Sequence, residues 1–585
     1  PFDWSIIRDA LDKAMMASPQ IPYFATWNIN DLVLWKTFEE EALSFEERRK
    51  GIYSFVDIRS LREIDYPEIE AKIKEKLRVF LRDLSEIIYE KKLLPKIPVD
   101  EYFIYSLRKV IDTFYQDLAI EIKREIERNR VFRKELNEWF ILQGWTPPST
   151  NEDFEKVARQ YLYLLMNKIL FYNVLRKNYN LRPINIPQDI SSGLEFKVEL
   201  QKYFELAQKI SGDYETIFGL DFLEKIPVPN SIVPSLSSFI NGLSRYDFSK
   251  IGYKDLGHIF DRLIPEHHRH RLGQYFTNPD VVDIINAFCI RSPDDKVADF
   301  GCGAGTFLVR AYARIKYLNP LKTHKEILKQ LIGVDISKFA AHLAMINLAI
   351  RDLSSPENYP QIVPTDFFKI KPASMEEWIG VNKKIIKTLS GEEKEIEIPP
   401  MLDAVVGNPP YTRQEEIEAY IKNYKKFLQE TIKNDWGGKA KLGGRAGIYA
   451  YFFIHGLRFL KEGGRFGYIT SNSWLDVDYG KYLQEFFLKN TKIIAIIEPK
   501  ERVFPDADIN TVITILERCS NKEERDNNLV KFVKLKVPLK QIIPYSTEEE
   551  RFKEIEKLVN LIEKTDELYE DDKIRIYPIK QKELW

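Results

Sequence analysis

Cysteine is scarce in this chain. Only Cys289, Cys302 and Cys519 occur among 585 residues, too scattered for a disulfide framework or a zinc site. That usage fits a reducing cytoplasm, and a cytoplasmic location is expected. Long apolar runs are missing as well. No stretch approaches the roughly 18 residues of a membrane span, and no secretory leader is visible. Neither sign of charge dominates: 87 Lys and Arg stand against 88 Asp and Glu, a net charge of -1. The balance neither favours nor excludes a nucleic-acid partner, so any such contact must come from local patches. Methionine is sparse too, and with the wealth of Ile, Lys, Glu and Tyr it hints at a thermophilic source. The chain begins at Pro1 rather than Met, as expected of a fragment or a trimmed chain. Its length suggests about three to four domains.

What is present centres on Val405-Val406-Gly407-Asn408-Pro409-Pro410-Tyr411. Asp403-Ala404-Val405-Val406 reads as a short central parallel strand. Pro409 and Pro410 cannot donate to a sheet ladder, so the strand stops there and leaves Asn408 and Tyr411 at its carboxyl end. In open α/β sheets ligands bind at that end. The tetrad suits attack by an exocyclic amine. The amino nitrogen of adenine is a poor nucleophile because its lone pair is delocalised into the ring. The amide oxygen of Asn408 and the carbonyl of Pro409 can each accept one N–H, drawing the nitrogen toward a tetrahedral shape. The ring of Tyr411 can stack on the base. A plain turn after a strand is the competing reading.

A second motif precedes it. Lys296-Val297-Ala298-Asp299-Phe300 reads as a strand, Gly301-Cys302-Gly303-Ala304-Gly305-Thr306 as a glycine-rich turn, and residues 307–315 as a helix. Such a turn lets backbone approach a ligand closely. The dinucleotide pattern would want a third glycine where Thr306 stands. Asp299 suits the cationic amino-acid end of a sulfonium cofactor better than a pyrophosphate. A strand through Leu331-Ile332-Gly333-Val334 ends in Asp335, placed to bind ribose hydroxyls. Thr365-Asp366-Phe367-Phe368 puts Asp366 where an adenine amino group is read and Phe367 against the ring. Strand, helix and acid recur in order, which predicts an S-adenosylmethionine site. The competing reading is a doubly wound fold without a cofactor.

Three motifs together, Gly273-Gln274-Tyr275-Phe276-Thr277, the Asp-Phe-Gly-Cys-Gly-Ala-Gly loop and Asn408-Pro-Pro-Tyr411, resemble the DNA adenine-N6 methyltransferases. The motif order is that of the gamma class, with cofactor motifs before the catalytic motif. The lead-in from Asp255 to Thr277 is similar to that of the methylase part of fused restriction–modification enzymes and of modification subunits. The resemblance covers roughly 247–518. It implies that Tyr275 and Thr277 touch the methionine moiety of the cofactor. It also implies that Phe504 stacks on an extruded adenine opposite Tyr411. The family often has Pro directly after the Thr; here Asn278 intervenes before Pro279.

The amino-terminal part offers less. Tyr23–Trp27 and Leu32-Val33-Leu34-Trp35 read as two strands around the turn 28–31. Such a hairpin resembles the end of the nuclease-like domain that opens many restriction proteins. Residues 58–178 read as helical, with Ile69, Ile73 and Leu77 on one face and 158–178 apolar on most faces. Glu195 and Lys197, with Asp189 upstream, imitate a nuclease metal site, but their surroundings are helical where that chemistry needs a strand. Glu121 and Lys123 sit in a charge run typical of a solvated helix face. His267, His268 and His270 lie in a basic cluster too tightly spaced for a helical ligand pair. No metal site is expected.

After the catalytic motif, residues 437–447 read as a mobile, cationic loop whose Lys439, Lys441 and Arg445 are placed to grip DNA phosphates. A helix at 449–460 and strands at 463–470, 492–497 and 511–516 complete the sheet, with Ser471-Asn472-Ser473-Trp474 ending one of them beside Asn408. The tail 530–585 is charged and helical in part, and too short for a full target-recognition domain.

The expected organisation is therefore a nuclease-like α/β remnant at 1–50, a helical domain at 51–245, a methyltransferase domain at 246–520 and a connector at 521–585. The expected fold is a doubly wound, mostly parallel, seven-stranded Rossmann-like α/β sheet. The expected function is methyl transfer from S-adenosylmethionine to adenine N6 in duplex DNA by base flipping, within a restriction–modification system. A restriction or specificity module, in the same chain or another, is a further expected partner. Alternatives are cytosine-N4 methylation, whose motif usually begins with Ser, protein glutamine methylation, which shares Asn-Pro-Pro-Tyr, and a defence protein whose main act is DNA cleavage.

Overall fold

The computed structural model describes residues 4–38, 48–56, 58, 64–89, 97–98, 101–142, 147–211, 215–218, 222–248, 277–352, 355, 358–371, 383–387, 393–397, 401–410, 423–443, 446–476, 480–500 and 510–585. Two compact units emerge. One comprises Pro1–Arg130, Thr150–Ile210 and Leu223–Glu266; the other comprises Val131–Ser149, Ser211–Phe222 and His267–Trp585.

The first unit opens with helix α1 (Trp4–Met16) and strands β1 (Tyr23–Trp27), β2 (Asp31–Lys36) and β3 (Arg49–Ser54). The predicted hairpin forms, with Trp27 opposite Leu32 and the turn closed by Asp31 N–H to Asn28 Oδ1 at 2.8 Å. Strand β3 adds a third strand beside β2 that the sequence reading did not find. Side chains alternate across a strand, so β2 is buried on both faces. Val33 and Trp35 pack with Ile7 and Ala14 of α1. Leu32 and Leu34 pack with Phe80 and Ile87 of helix α2 (Pro67–Ile88), whose Ile69, Ile73 and Leu77 join the same cluster.

Helices α3 (Glu101–Arg128), α4 (Asn151–Tyr179) and α5 (Gly193–Ser211) follow. Helix α4 starts at a capping box in which Thr150 and Asp153 satisfy each other's backbone N–H groups. Its Tyr161, Leu164, Leu165, Ile169, Leu170 and Phe171 are all buried, as the apolar run predicts. Glu121 on α3 pairs with Arg124 and Arg128. Glu195 and Lys197 lie on α5, and the Lys197 ammonium is spent on the carbonyls of Glu224 and Ile226.

The second unit is built on one mixed sheet. Its strands are β4 (Val297–Asp299), β5 (Leu331–Asp335), β6 (Gln361–Pro364), β7 (Leu402–Gly407), β8 (Leu460–Ser471), β9 (Thr491–Glu498), β10 (Thr511–Arg518), β11 (Leu529–Leu535), β12 (Tyr569–Glu570) and β13 (Ile574–Lys580). Their spatial order is β12-β13-β11-β9-β10-β8-β7-β4-β5-β6. Strands β6, β5, β4, β7 and β8 run parallel. Strand β10 is antiparallel between β8 and β9.

The expected count of seven needs correction. Strands β4 to β10 supply seven, but the tail supplies three more: β11 parallel to β9, then β13 and β12 antiparallel. The segment read as a connector therefore carries sheet as well as helix. The reason is alternation within charged sequence. Ile574 and Ile576 are buried while Arg575 and Tyr577 are exposed, a period-2 pattern hidden by high overall charge. Strand β8 also starts earlier than read, because the preceding helix closes at Leu457.

Helices α6 (Pro279–Cys289), α7 (Thr306–Leu318), α8 (Lys338–Ala349), α9 (Tyr424–Asp435), α10 (Ile448–Leu457), α11 (Gly480–Asn490) and α12 (Glu548–Lys564) are the longer described helices of the second unit's His267–Trp585 segment. Apolar residues of α9, α10 and α11 share one core with Phe300, Val405, Phe466 and Tyr468 of the sheet. Arg310 of α7 and Arg551 of α12 converge on the buried Asp283 of α6. Among the described residues no helix is long and apolar enough to cross a membrane.

Candidate active site

Strand order reverses between β4 and β7, which are neighbours: Val405 lies opposite Ala298 and Ala404 opposite Val297. The glycine turn after β4 and the Asn-Pro-Pro turn after β7 are thus brought to one sheet edge, the place where doubly wound sheets form a crevice. The approach is close. A Cβ on Gly301 would sit 3.7 Å from Pro410 Cδ and 3.9 Å from Pro409 Cα.

Asn408 is half-buried. Its Nδ2 donates to Thr277 Oγ1 at 3.1 Å. Its Oδ1 is sealed from solvent and has no hydrogen-bond partner among the described residues. A buried acceptor left without a donor costs about 1–3 kcal/mol, and a donor brought by a ligand would relieve that cost.

The glycine turn is held by the two predicted acids. Gly301 N–H donates to Asp299 Oδ1 at 3.2 Å. Gly303 N–H donates to Asp335 Oδ2 at 2.9 Å, and Ser337 N–H to Asp335 Oδ1 at 2.8 Å. Burial pushes the Asp299 carboxyl up to about 8; the Gly301 N–H opposes this and the nearby Asp335 adds to it. Burial also pushes Asp335 up to about 6, against its two backbone donors. Two acids so raised favour a ligand bringing positive charge or hydroxyl donors, since either stabilises the carboxylate form. Gly303 has φ +52°, and a Cβ there would meet nothing within 4 Å. Among the described residues, the turn at Gly303 therefore presents bare backbone to open space. Acids, bare backbone and space together fit a sulfonium nucleoside of the S-adenosylmethionine type.

The third acid is engaged differently. Asp366 Oδ1 accepts from Phe368 N–H at 3.0 Å and Oδ2 from the Tyr424 hydroxyl at 3.0 Å; burial raises its pKa. Phe367 corrects the sequence reading. Instead of offering a face to a cofactor ring, it is a core residue, 3% exposed and stacked on Phe300 at 4.1 Å. Phe452, Phe459 and His455 cover it further. The sequence reading missed His455, fully buried, which bonds Asp435 at 2.6 Å and the Phe367 carbonyl at 3.3 Å. Nothing in the local pattern signals that pair.

Along its described part the cationic loop is anchored by three apolar residues. Ala440, Leu442 and Ala446 are buried in the core, while Lys439 and Lys441 project from it exposed. Lys441 lies 5.6 Å over the Tyr482 ring. Strand β8 ends at Ser471 on the same edge as Asn408, and Trp474 beyond it is buried against Phe487. Tyr275, Tyr411, Phe504, Arg445 and the histidine cluster lie outside the described residues.

Residues 329–504 match the family model described as Eco57I restriction-modification methylase. The Type II methyltransferase M.XamI of Xanthomonas campestris pv. amaranthicola is 24% identical over 252 residues, covering 42% of this chain and 39% of that protein. The Type II restriction enzyme and methyltransferase RM.Eco57I of Escherichia coli is 23% identical over 474 residues, covering 70% of this chain and 45% of that protein. The chain thus spans less than half the length of these two curated relatives. A DNA-bound structure of the ATP-dependent Type ISP restriction-modification enzyme LlaBIII superposes with a TM-score of 0.50 at 16% identity. It covers 87% of this chain and 33% of that chain, a likeness of fold. The chain resembles the methylase part of restriction–modification enzymes.

Proposed function

We propose that this chain is a DNA methyltransferase of a restriction–modification system, transferring a methyl group from S-adenosylmethionine to the N6 amino group of adenine in duplex DNA. The observation that carries this reading is the orphaned Oδ1 of Asn408 beside the glycine turn. An exocyclic amine has two N–H donors. Asn408 Oδ1 accepts one and the Pro409 carbonyl accepts the other. Held so, the nitrogen gives up conjugation with the ring and directs its lone pair away from both acceptors. Asp299, Asp335 and the glycine turn of Gly301, Gly303 and Gly305, with its bare backbone at Gly303, would hold the cofactor. When bound, S-adenosylmethionine supplies an electrophilic methyl group. Positioning of two reactants in line, rather than a strong base, carries most of the acceleration. The nitrogen becomes acidic as it gains its new bond and releases a proton late, to water.

The target base is buried in a duplex, so it must be extruded, at a cost of a few kcal/mol. By resemblance, Tyr411 and Phe504 stack on its two faces. Lys439 and Lys441, with Arg445 next to them in sequence, would offset the cost through phosphate contacts. A restriction or specificity module, in the same chain or another, is a proposed partner.

The test uses tritiated S-adenosylmethionine and unmodified genomic DNA, followed by nucleoside analysis. Label in N6-methyladenine is the expected result. Label in N4-methylcytosine keeps the chemistry and moves the base. Label in protein alone overturns the reading in favour of glutamine methylation.

A further inference from the structure

We propose that Thr277 is a positioning residue for the Asn408 amide, holding that amide in place against the substrate nitrogen; this rests on the methyl-transfer reading above. A carboxamide is nearly symmetric in shape but opposite in chemistry at its two ends. Only the oxygen accepts an amine N–H. With the amide reversed, two N–H donors would confront the substrate's own donors. What anchors the amide is the partner at its far end. Here that partner is Thr277, 3% exposed, whose Oγ1 accepts from Nδ2 at 3.1 Å. The same bond leaves Oδ1 as the end without a partner.

Thr277 is held firmly enough to act this way. It immediately precedes the capped start of α6, where Asn278 Oδ1 accepts from Asp280 N–H at 2.8 Å. The helix is then tied down by ions. Both oxygens of Asp283 accept from Arg310 at 2.7 Å. Arg551 reaches Asp280 and Asp283, each at 2.8 Å. Arg310 also pairs with Glu548 at 2.7 Å, so helices α7 and α12 lock the first turns of α6. A side chain mounted on such a support holds its partner with little loss of order at the moment of reaction.

The experiment compares Thr277→Val, which deletes the hydroxyl at nearly constant shape, with Thr277→Ser, which keeps it. Three quantities are read on the whole chain. They are single-turnover methyl transfer to unmodified genomic DNA at saturating cofactor, affinity for S-adenosylhomocysteine by calorimetry, and the Asn408 side-chain amide signal in an asparagine-selective ¹⁵N spectrum. That signal is identified by its loss in Asn408→Asp. In Thr277→Val, transfer at saturating cofactor is expected to slow by about 10- to 100-fold, a change in rate read apart from any change in cofactor affinity. The Asn408 signal should shift. In Thr277→Ser, rate and signal should return to those of the unsubstituted chain.

A large loss of affinity with an unchanged saturated rate would overturn the proposal and make Thr277 a cofactor contact. An unmoved Asn408 signal would overturn it as well. If Thr277→Val does not fold, Thr277→Ala carries the same comparison against Ser. Failure of the unsubstituted chain to label DNA would instead sink the methyl-transfer reading, and the ¹⁵N signal still decides whether Thr277 holds the amide.

Discussion

A Cβ built on Gly407 would lie 2.7 Å from Oδ1 of Asp299. The last residue of β7 and the acid that ends β4 touch so closely that only hydrogen fits between them. Asp299 Oδ1 is the same atom that accepts the Gly301 N–H. One contact therefore joins the turn that would activate the amine to the acid that would hold the cofactor.

Gly407→Ala should force Asp299 out of place. Overpacking of this kind costs about 1–3 kcal/mol of stability. Affinity for S-adenosylhomocysteine should fall by about 10-fold or more, because the displaced carboxyl also loosens Gly301. Calorimetry and denaturant unfolding check both effects. Unchanged affinity would show that the contact is tolerant.

Asn408→Ala removes the acceptor without touching the glycine turn. Methyl transfer should drop by about 10²–10³-fold or more, the usual cost of one preorganised partner of a reacting group. Binding of S-adenosylhomocysteine should stay within about threefold. Activity surviving this change would remove Asn408 from the chemistry.

Cofactor binding should strengthen with rising pH. The folded Asp299 titrates at about 8 and Asp335 at about 6, both above the usual carboxylate value because of burial. A group raised in the folded state contributes stability that is fully present below its unfolded pKa and is lost as pH rises through its folded pKa. The free protein therefore loses this contribution between about pH 4 and 8. A cationic ligand prefers the carboxylates and expels their protons. Its thermal stabilisation of the protein, at fixed concentration, should be larger at pH 8 than at pH 6. Asp299→Asn should flatten that dependence. Equal shifts at both pH values in the unsubstituted chain would contradict the assignment.

Phe367→Ala should behave as a core truncation, losing about 3–5 kcal/mol, because the ring is packed among Phe300, Phe452, Phe459 and His455. Phe367→Leu should recover much of that loss and leave cofactor affinity within about threefold. If Leu instead weakened cofactor binding by about 10-fold at unchanged stability, the ring would be stacking on the ligand after all.

Much of the site was legible before folding was considered, because its signals are local. Prolines at 409 and 410 end a strand wherever that strand sits. A glycine-rich turn between an apolar strand and a helix announces bare backbone in the same way. Asp299 and Asp335 follow directly from those boundaries, and both accept backbone N–H groups of the glycine turn. The tail was less legible, since Lys and Arg on the open positions of β11 and β13 mask their alternation.

What the sequence by itself determined was where the central strands β4, β5 and β7 end and which residues are set at their carboxyl ends. Backbone chemistry fixes these within a few positions along the chain. What only the tertiary structure decided was which side chain meets which. Asn408 finds Thr277 across 131 positions. Phe367, equally suited by type to a ligand or a core, is claimed by the core. Arg551 reaches back to pin the helix that carries the site. Such partners are chosen by non-local packing, where burial of each polar group demands a mate and each apolar ring demands neighbours. No local pattern in the chain records that choice.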